Sequence, residues 1–301
     1  MSVNKMDFLL VGFVKAGTTS LDNILRQDRR IYLPHGAKET HFFDWIDREN
    51  ALELFWSLYY PRVQKNKIVG GIEPCYIRNA KQVLETFGKD VKILFMMRNP
   101  IEADFSLFKM GLKWGGSLQQ IKWYKKYKAD HVAEMYHKYT MFRLKNPDKE
   151  DEIRDEFRYE KWIKEYLQCY DLTQIKFVLF EDFVNSSEQT VREIERFIGL
   201  KDRTLNFDVC INEGGQISRN YFCARLNHEM SIKGKQQEYE NVKKRQKISL
   251  IEEKLFKFTL IKSNAKMLKE TEQLLKRYYT PTKKYVENLL NRNMSNIWFD
   301  I

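Results

Sequence analysis

The stretch Val11-Gly12-Phe13-Val14-Lys15-Ala16-Gly17-Thr18-Thr19-Ser20 (VGFVKAGTTS) decides the fold. It overlaps the end of an apolar run, Asp7–Phe13 (DFLLVGF), and leads directly into a helical pattern, Thr18–Arg26. Gly12 and Gly17 permit a tight turn, so the spacing predicts strand, loop and helix in immediate succession. The amides of Gly17 to Ser20 are then expected to point out from the helix N-terminus. Unsatisfied N–H groups and the helix dipole attract anions there. Ala16 lies within the loop, and Thr18, Thr19 and Ser20 add hydroxyl donors. A bare G-x(4)-G also fits an ordinary turn; the lysine and three hydroxyls in the same frame favour the anion site.

The loop departs from the nucleotide-binding P-loop in an informative way. The Walker pattern is G-x-x-x-x-G-K-[ST]. Gly12 and Gly17 keep its spacing, but Thr18 stands at the lysine position and the lysine has moved inside the loop, to Lys15. Binding a nucleotide γ-phosphate with Mg²⁺ normally needs the Walker lysine and a metal-holding acid. A phosphosulfate carries less charge at its transferable end and can do without the metal. Lys15 is then expected near the bridging oxygen, where charge develops as the group leaves. No metal is expected.

Outward from the loop, three more apolar runs read as strands: Lys67–Ile72 (KIVGGI), Val91–Arg98 (VKILFMMR) and Ile175–Phe180 (IKFVLF). Near-continuous apolar runs suit strands of a parallel sheet buried on both faces. Helical patterns lie between them. Ala80–Phe87 stops at Gly88, and Ser187–Ile198 opens with Ser186 or Ser187 as its cap and ends at Gly199. The alternation predicts a P-loop-like three-layer α/β/α fold with a central parallel sheet, as a single domain over residues 1–301. Ligands in such folds sit beyond the carboxyl ends of the strands, which points to Val14–Ser20, Glu73–Tyr76, Arg98–Asn99 and Glu181–Asp182. The Trp-, Tyr- and Lys-rich stretch 112–158 reads as a helical excursion beside the sheet, and its aromatic faces and lysines (Trp114, Lys122, Trp123, Lys126) suit an anionic partner as well as plain packing. From Lys254 the chain is again helical, with a break at Tyr279–Thr280–Pro281 and a final short helix to about Leu290.

The 301 residues carry 52 Lys and Arg against 41 Asp and Glu, a formal charge of +11. Such a balance favours polyanions without choosing among nucleotides, nucleic acids, glycans and acidic membranes. The N-terminal apolar run, Phe8–Val14, is short and has no cleavage site behind it, and no stretch approaches the roughly 18 apolar residues of a membrane span. A cytoplasmic protein is therefore expected. Cys75, Cys169, Cys210 and Cys223 show no metal-binding spacing; a Cys210–Cys223 disulfide would need an oxidising compartment.

At this point the residues resemble a known family. KAGTTSL is similar to the 5′-phosphosulfate loop of sulfotransferases that use 3′-phosphoadenosine-5′-phosphosulfate (PAPS), closest to the carbohydrate branch that includes the heparan sulfate enzymes. Lys38–Asp44 (KETHFFD) resembles the K-E-x-H-F-F-D signature of that branch. Lys92–Pro100 (KILFMMRNP), continuing to Ser106, resembles the 3′-phosphate segment, which implies Arg98 and Ser106 as its ligands. Phe177–Phe183 resembles the late strand, and Tyr278–Trp298 the closing Tyr–Pro–helix–Trp pattern. The resemblance implies transfer of a sulfuryl group from PAPS to a carbohydrate hydroxyl, leaving the desulfated product PAP. It implies Glu39 as the base that takes the hydroxyl proton, with His41 two residues on. In an extended segment the two side chains would share one face. Lys38 is expected as a nearby cation. The family's late basic loop suggests Ser218 and Arg219.

One departure stands out. Relatives carry Glu–Lys–Thr or Glu–Ala–Ser before a Pro–x–Tyr; here the stretch is Gly71–Ile72–Glu73–Pro74–Cys75–Tyr76. No lysine fills its place, and Glu73 replaces a small hydroxyl, which leaves Glu73 open as a second base or, with Tyr76, as an acceptor contact. Glu181 and Asp182, after the last strand, could pass for a Walker B acid; without a Walker lysine a structural capping role is expected instead. Two rival classes remain at the level of sequence: a P-loop-like small-molecule kinase, opposed by Thr18, and a nucleic-acid-binding protein, suggested by charge alone and lacking any familiar recognition motif.

Overall fold

The computed structural model describes residues 4–47, 49–114, 130–146, 156–201, 207, 216–240 and 257–300, with side chains as far as 230 in the helix ending at 240. Its strands are β1 (Phe8–Gly12), β2 (Ile31–Tyr32), β3 (Ile68–Ile72), β4 (Lys92–Met97), β5 (Ile175–Leu179), β6 (Gln216–Ser218) and β7 (Leu260–Lys262). Its helices are α1 (Thr18–Leu25), α2 (Ala51–Tyr59), α3 (Ala80–Phe87), α4 (Pro100–Lys113), α5 (Val132–Lys145), α6 (Tyr159–Leu167), α7 (Phe180–Asn185), α8 (Ser187–Ile198), α9 (Tyr221–Glu240) and α10 (Lys269–Leu290). Two compact units are present. One comprises Met1–Pro100, Glu156–Asn212 and Pro281–Asp300; the other holds Ile101–Asp155 and Glu213–Thr280.

The first unit is the expected α/β fold. Its five strands lie in the order β2-β3-β1-β4-β5, every pairing parallel. All five residues of β1 are buried, as its unbroken apolar sequence requires of a central strand. Alternation then sorts the faces. Phe8 and Leu10 join Leu94, Met96 and Val178 in a core against Leu21, Ile24 and Leu25 of α1 and Val191, Ile194 and Ile198 of α8. On the other face Phe95 stacks on Phe177 and meets Tyr166 of α6 edge-on.

The four predicted strands and the helices α1, α3 and α8 lie where the sequence puts them. β2 was not anticipated. The capping of α8 differs: the Ser186 side chain makes no cap bond, and the Ser187 hydroxyl donates back to the Phe183 carbonyl at 2.7 Å, in the preceding helix. The tail differs too. A strand precedes it, and α10 runs unbroken through Pro281. The proline forfeits the N–H that would bond the Arg277 carbonyl, but Tyr279, Thr282 and Val286 around it are all buried. Packing on both sides of the proline keeps the helix continuous.

In the second unit the Arg143 guanidinium of α5 donates to Asp104 of α4, and the Tyr279 hydroxyl donates to the same carboxylate oxygen at 2.7 Å. All three residues are buried, so the ion pair is satisfied by geometry rather than by water. β6 and β7 form an antiparallel pair. Of the stretch 112–158, residues 112–114, 130–146 and 156–158 are described, with Trp114 exposed; Lys122, Trp123 and Lys126 lie outside the described residues, as does Cys210. Cys223 is a buried free thiol. Among the described residues, no helix is long and apolar enough to cross a membrane.

Gly70 of β3 faces Phe8 across the sheet, and an added Cβ would stand 2.1 Å from the Phe8 ring. Gly88 has a φ of +86° but open space around it. With ψ at 175° Gly88 lies in a region that essentially only glycine populates, so Gly88→Ala is expected to cost backbone strain alone, about 2 kcal/mol. Gly70→Ala should cost more, about 3 kcal/mol, through overpacking of an immobile ring. Urea unfolding of the two variants measures the difference; equal losses would contradict the steric account.

Candidate active site

The loop after β1 is built as a cradle. The Phe13 amide bonds the Met96 carbonyl at 2.8 Å, carrying β1's pairing with β4 past the strand end. Lys15 (φ 62°) and Gly17 (φ 84°) then turn the chain through left-handed conformations, and α1 begins at Thr18. No side chain caps this helix, and its first turn holds no acid. The amides of Ser20 and Leu21 both bond the Gly17 carbonyl, at 3.0 and 3.2 Å, so the outward row of amides stops at Thr19 rather than Ser20. Ala16, Thr18 and Ser20 are buried, and Thr19 is partly exposed.

Phe180, first residue of α7, braces the cradle. A Cβ on Gly17 would lie 2.8 Å from its ring, and the Arg98 guanidinium stacks on that ring at 4.6 Å. Arg98 also donates through Nη1 to the Lys15 carbonyl at 3.2 Å. Its own carbonyl accepts from the Tyr159 hydroxyl at 2.6 Å, and the Tyr159 ring packs on Phe13 at 4.1 Å. Arg98 therefore sits at the end of β4, tied to the loop it was expected to accompany. Next to it, the Asn99 amide donates to Glu181 at 2.8 Å and the Asn99 side chain donates to the Trp298 carbonyl at 2.9 Å. The capping role expected of Glu181 and Asp182 is not seen: α7 has no side-chain cap, and Glu181 serves Asn99 instead; burial raises its pKa. Asp182 pairs with Arg292.

The Lys38–Asp44 segment lies against this cradle. Lys38 Nζ donates to Thr18 Oγ1 at 3.1 Å and to Glu39 Oε1 at 2.5 Å. Glu39 Oε2 is 3.8 Å from His41 Nε2. The segment is not extended at His41, whose φ is 50°, yet the two side chains still meet. Beyond His41, Phe42 and Trp45 enter an aromatic cluster with Phe55 and Phe87, so these residues pack rather than project.

Glu73 and Tyr76 hold the segment from beneath. Glu73 is 2% exposed. Its Oε1 accepts from the Thr40 amide and hydroxyl, both at 2.7 Å, and Oε2 accepts from the His41 amide at 3.4 Å. Because the Thr40 hydroxyl donates to Glu73, it accepts from Tyr76 at 3.1 Å, and the Tyr76 oxygen accepts from the Phe42 amide at 3.0 Å. Three consecutive amides, 40 to 42, are satisfied by two side chains from the turn after β3. Burial pushes the Glu73 carboxyl up to about 8 against the bonds from Thr40. Thr40, Tyr159 and Phe180 are the supporting residues that sequence reading missed; each makes its contact far along the chain, with no local signal.

The other expected residues belong to the second unit. Ser106 is half-buried on α4. Ser218 is buried; its hydroxyl donates to the Lys113 carbonyl at 3.1 Å and accepts from Asn227 at 2.9 Å. Arg219 is exposed, with its guanidinium 5.1 Å over the Phe258 ring.

Comparison with known proteins agrees with this architecture. Residues 5–248 match the family described as the sulfotransferase domain. A 112-residue stretch is 28% identical to the membrane-associated sulfotransferase kil1 of Dictyostelium discoideum, covering 36% of this chain and 23% of that protein. The chain thus spans under a quarter of that curated relative. The crystal structure of a sulfotransferase from Alicyclobacillus acidocaldarius superposes with a TM-score of 0.60 at 19% identity, over 97% of this chain and 98% of that one. A mouse sulfotransferase, SULT7A1, solved with PAP, gives 0.36 at 17% identity over 66% and 59%. The chain belongs to the sulfotransferase family, whose members draw the sulfuryl group from PAPS.

Glu73 makes stability depend on pH. Below its ordinary value of 4.5 both folded and unfolded chains hold the proton. As pH rises toward about 8 the unfolded chain releases it while the folded chain keeps it, so stability falls across that window and levels off above it. The ceiling is on the order of 5 kcal/mol. Glu73→Gln is expected to flatten this slope, read from melting temperatures between those limits; an unchanged slope would assign it to other groups.

Proposed function

We propose that the protein is a glycan O-sulfotransferase: it moves the sulfuryl group of PAPS to a carbohydrate hydroxyl by in-line displacement, with Glu39 as general base. The observation that carries this reading is the bridge made by Lys38. One ammonium bonds both Thr18 Oγ1, at the mouth of the cradle, and the Glu39 carboxylate. A base is thereby held one side chain away from a helix N-terminus suited to an anion, the juxtaposition that displacement at a bound phosphosulfate requires.

The residues present fit the donor. Two left-handed residues, an uncapped helix start without acids, and three cations (Lys15, Lys38 and Arg98) suit a phosphosulfate without a metal. PAPS supplies an activated sulfuryl group on a phosphate leaving group. In this reading Gly17, Thr18 and Thr19 offer amides and hydroxyls to the 5′ end. Lys15 steadies the charge that develops on the departing oxygen, and Arg98 binds phosphate from the end of β4. Glu39 takes the acceptor proton, and His41 beside it orients the hydroxyl. Glu73 and Tyr76 act through the segment they hold, rather than by touching the acceptor. The carbohydrate acceptor rests on the KETHFFD signature. The kinase alternative loses ground because Glu181, the acid after β5, is engaged by Asn99.

PAP is expected to raise the melting temperature by mass action on the folded state. Lys15→Ala and Arg98→Ala should each shrink or abolish the shift. No shift in the wild-type protein would sink the nucleotide site. Glu39→Gln should keep the shift yet lose turnover by about 10²–10⁴-fold, measured as labelled sulfate passed from PAPS to a glycan panel. Activity retained by Glu39→Gln would remove Glu39 as the base, and sulfation of non-sugar acceptors alone would overturn the glycan assignment.

A further inference from the structure

We propose that Glu39, His41 and Cys75 form a binding site for a single divalent cation of the zinc class. One ligand atom from each lies within 4.8 Å of the others. Cys75 Sγ is 3.7 Å from His41 Nδ1, while Glu39 Oε2 is 3.8 Å from the other ring nitrogen, Nε2; a single cation takes one of the two, so the imidazole must turn to bring that nitrogen between thiol and carboxylate. In a tetrahedral zinc site with bonds of about 2.3 Å to sulfur and about 2.0–2.2 Å to nitrogen and oxygen, donors stand roughly 3.4–3.6 Å apart. The cluster thus needs side-chain rotations rather than backbone movement to close. The His41 and Glu39 side chains are 41% and 27% exposed, leaving them room to rotate and the cation a way in.

The donors and their surroundings select the metal. Thiolate, imidazole and carboxylate together suit zinc and its neighbours, while magnesium and calcium prefer oxygen alone. Asp44 Oδ2, 3.7 Å from His41 Nδ1, brings further negative charge from the open side. Burial above all pushes the Cys75 thiol up, a cost that the metal–sulfur bond must exceed. Lys38 opposes the cation from Glu39 Oε1, leaving Oε2 toward His41. The frame is already set. The His41 amide rests on Glu73, and Cys75 follows Glu73 by two residues in the same turn. On binding, the Cys75 thiol gives its proton to solvent and its sulfur lone pair to the metal.

Occupancy would tie up the lone pairs of Glu39 and so silence the proposed base. That consequence rests on the sulfotransferase reading; the binding itself does not. The test uses cobalt(II) alone with the full-length protein and reads the near-ultraviolet sulfur-to-cobalt charge-transfer band. The wild-type band should saturate at one metal per chain and disappear on adding zinc. Cys75→Ser should abolish it, His41→Ala should weaken binding by tenfold or more, and Cys169→Ser should leave it intact. No band in the wild type, or a band that survives Cys75→Ser, overturns the proposal. Should Cys75→Ser melt early, alkylation of wild-type Cys75 with and without zinc decides by mass spectrometry. Protection supports the site, and unchanged labelling overturns it. None of these readouts needs turnover, so failure here is distinct from failure of the proposed reaction.

Discussion

The position of β1 is the constraint on which the rest of the first unit depends. It lies at the centre of the sheet, parallel to β3 on one side and β4 on the other. The chain leaves β1 toward β2 and β3, then crosses to β4 and β5 on the opposite side. Such an order opens a crevice where the direction of winding reverses, beyond the carboxyl ends of the strands. The loop Phe13–Gly17 fills the centre of that edge, with Glu73 leaving β3 on one flank and Arg98 leaving β4 on the other. Tight packing makes the arrangement possible. Gly12 lies so close to Ile77 that a Cβ would be 2.2 Å from its Cγ2. The turn after β3 can therefore approach the loop only because no side chain stands between them.

Charge is divided along the same edge. On the α1 side stand the uncapped helix start and Lys15, Lys38 and Arg98. Beyond Lys38 come Glu39, Asp44 and Glu73. Lys38 marks the boundary, bonding a hydroxyl on one side and a carboxylate on the other. The division is less steep than formal charges suggest. Glu73 is buried, and its raised pKa leaves it largely protonated near neutrality, so it works mainly through hydrogen bonds. The cradle and the segment that carries Glu39 thus present environments of different polarity across a short span.

The layout of the fold was legible because β1, β3, β4 and β5 are continuous apolar runs, a pattern that only full burial explains. Glycine endings marked α3 and α8 for a similar local reason: Gly88 and Gly199 both take positive φ, which side chains avoid. β2 escaped notice because two residues carry no periodicity; Ile31 and Tyr32 form a strand only because β3 is beside them. Pro281 misled for the opposite reason, since its local cost is real but tertiary packing outweighs it. The loop and Arg98 stood out as motif and spacing. Their supports did not. Phe180 is 82 residues from Arg98, and Glu73 is 33 from Thr40, so each contact exists only once the sheet is assembled.

Why a carboxylate stands at position 73, where resemblance would place a small hydroxyl, follows from reach and valence. A serine hydroxyl at that position is too short to span to the Thr40 amide and has one oxygen to offer. Glu73 brings two oxygens and accepts from the Thr40 amide, the Thr40 hydroxyl and the His41 amide. Burying a carboxyl group is costly, and these bonds offset part of that cost. The return is a fixed register for the residues on either side of Thr40, namely Glu39 and His41. Were the segment loose, Glu39 could follow Lys38 toward the cradle and leave His41 behind; with amides 40 to 42 anchored from beneath, the carboxylate stays between lysine and imidazole. The energetic cost is thus borne one layer below the surface, where it fixes the position of the more exposed Glu39 and His41 above it.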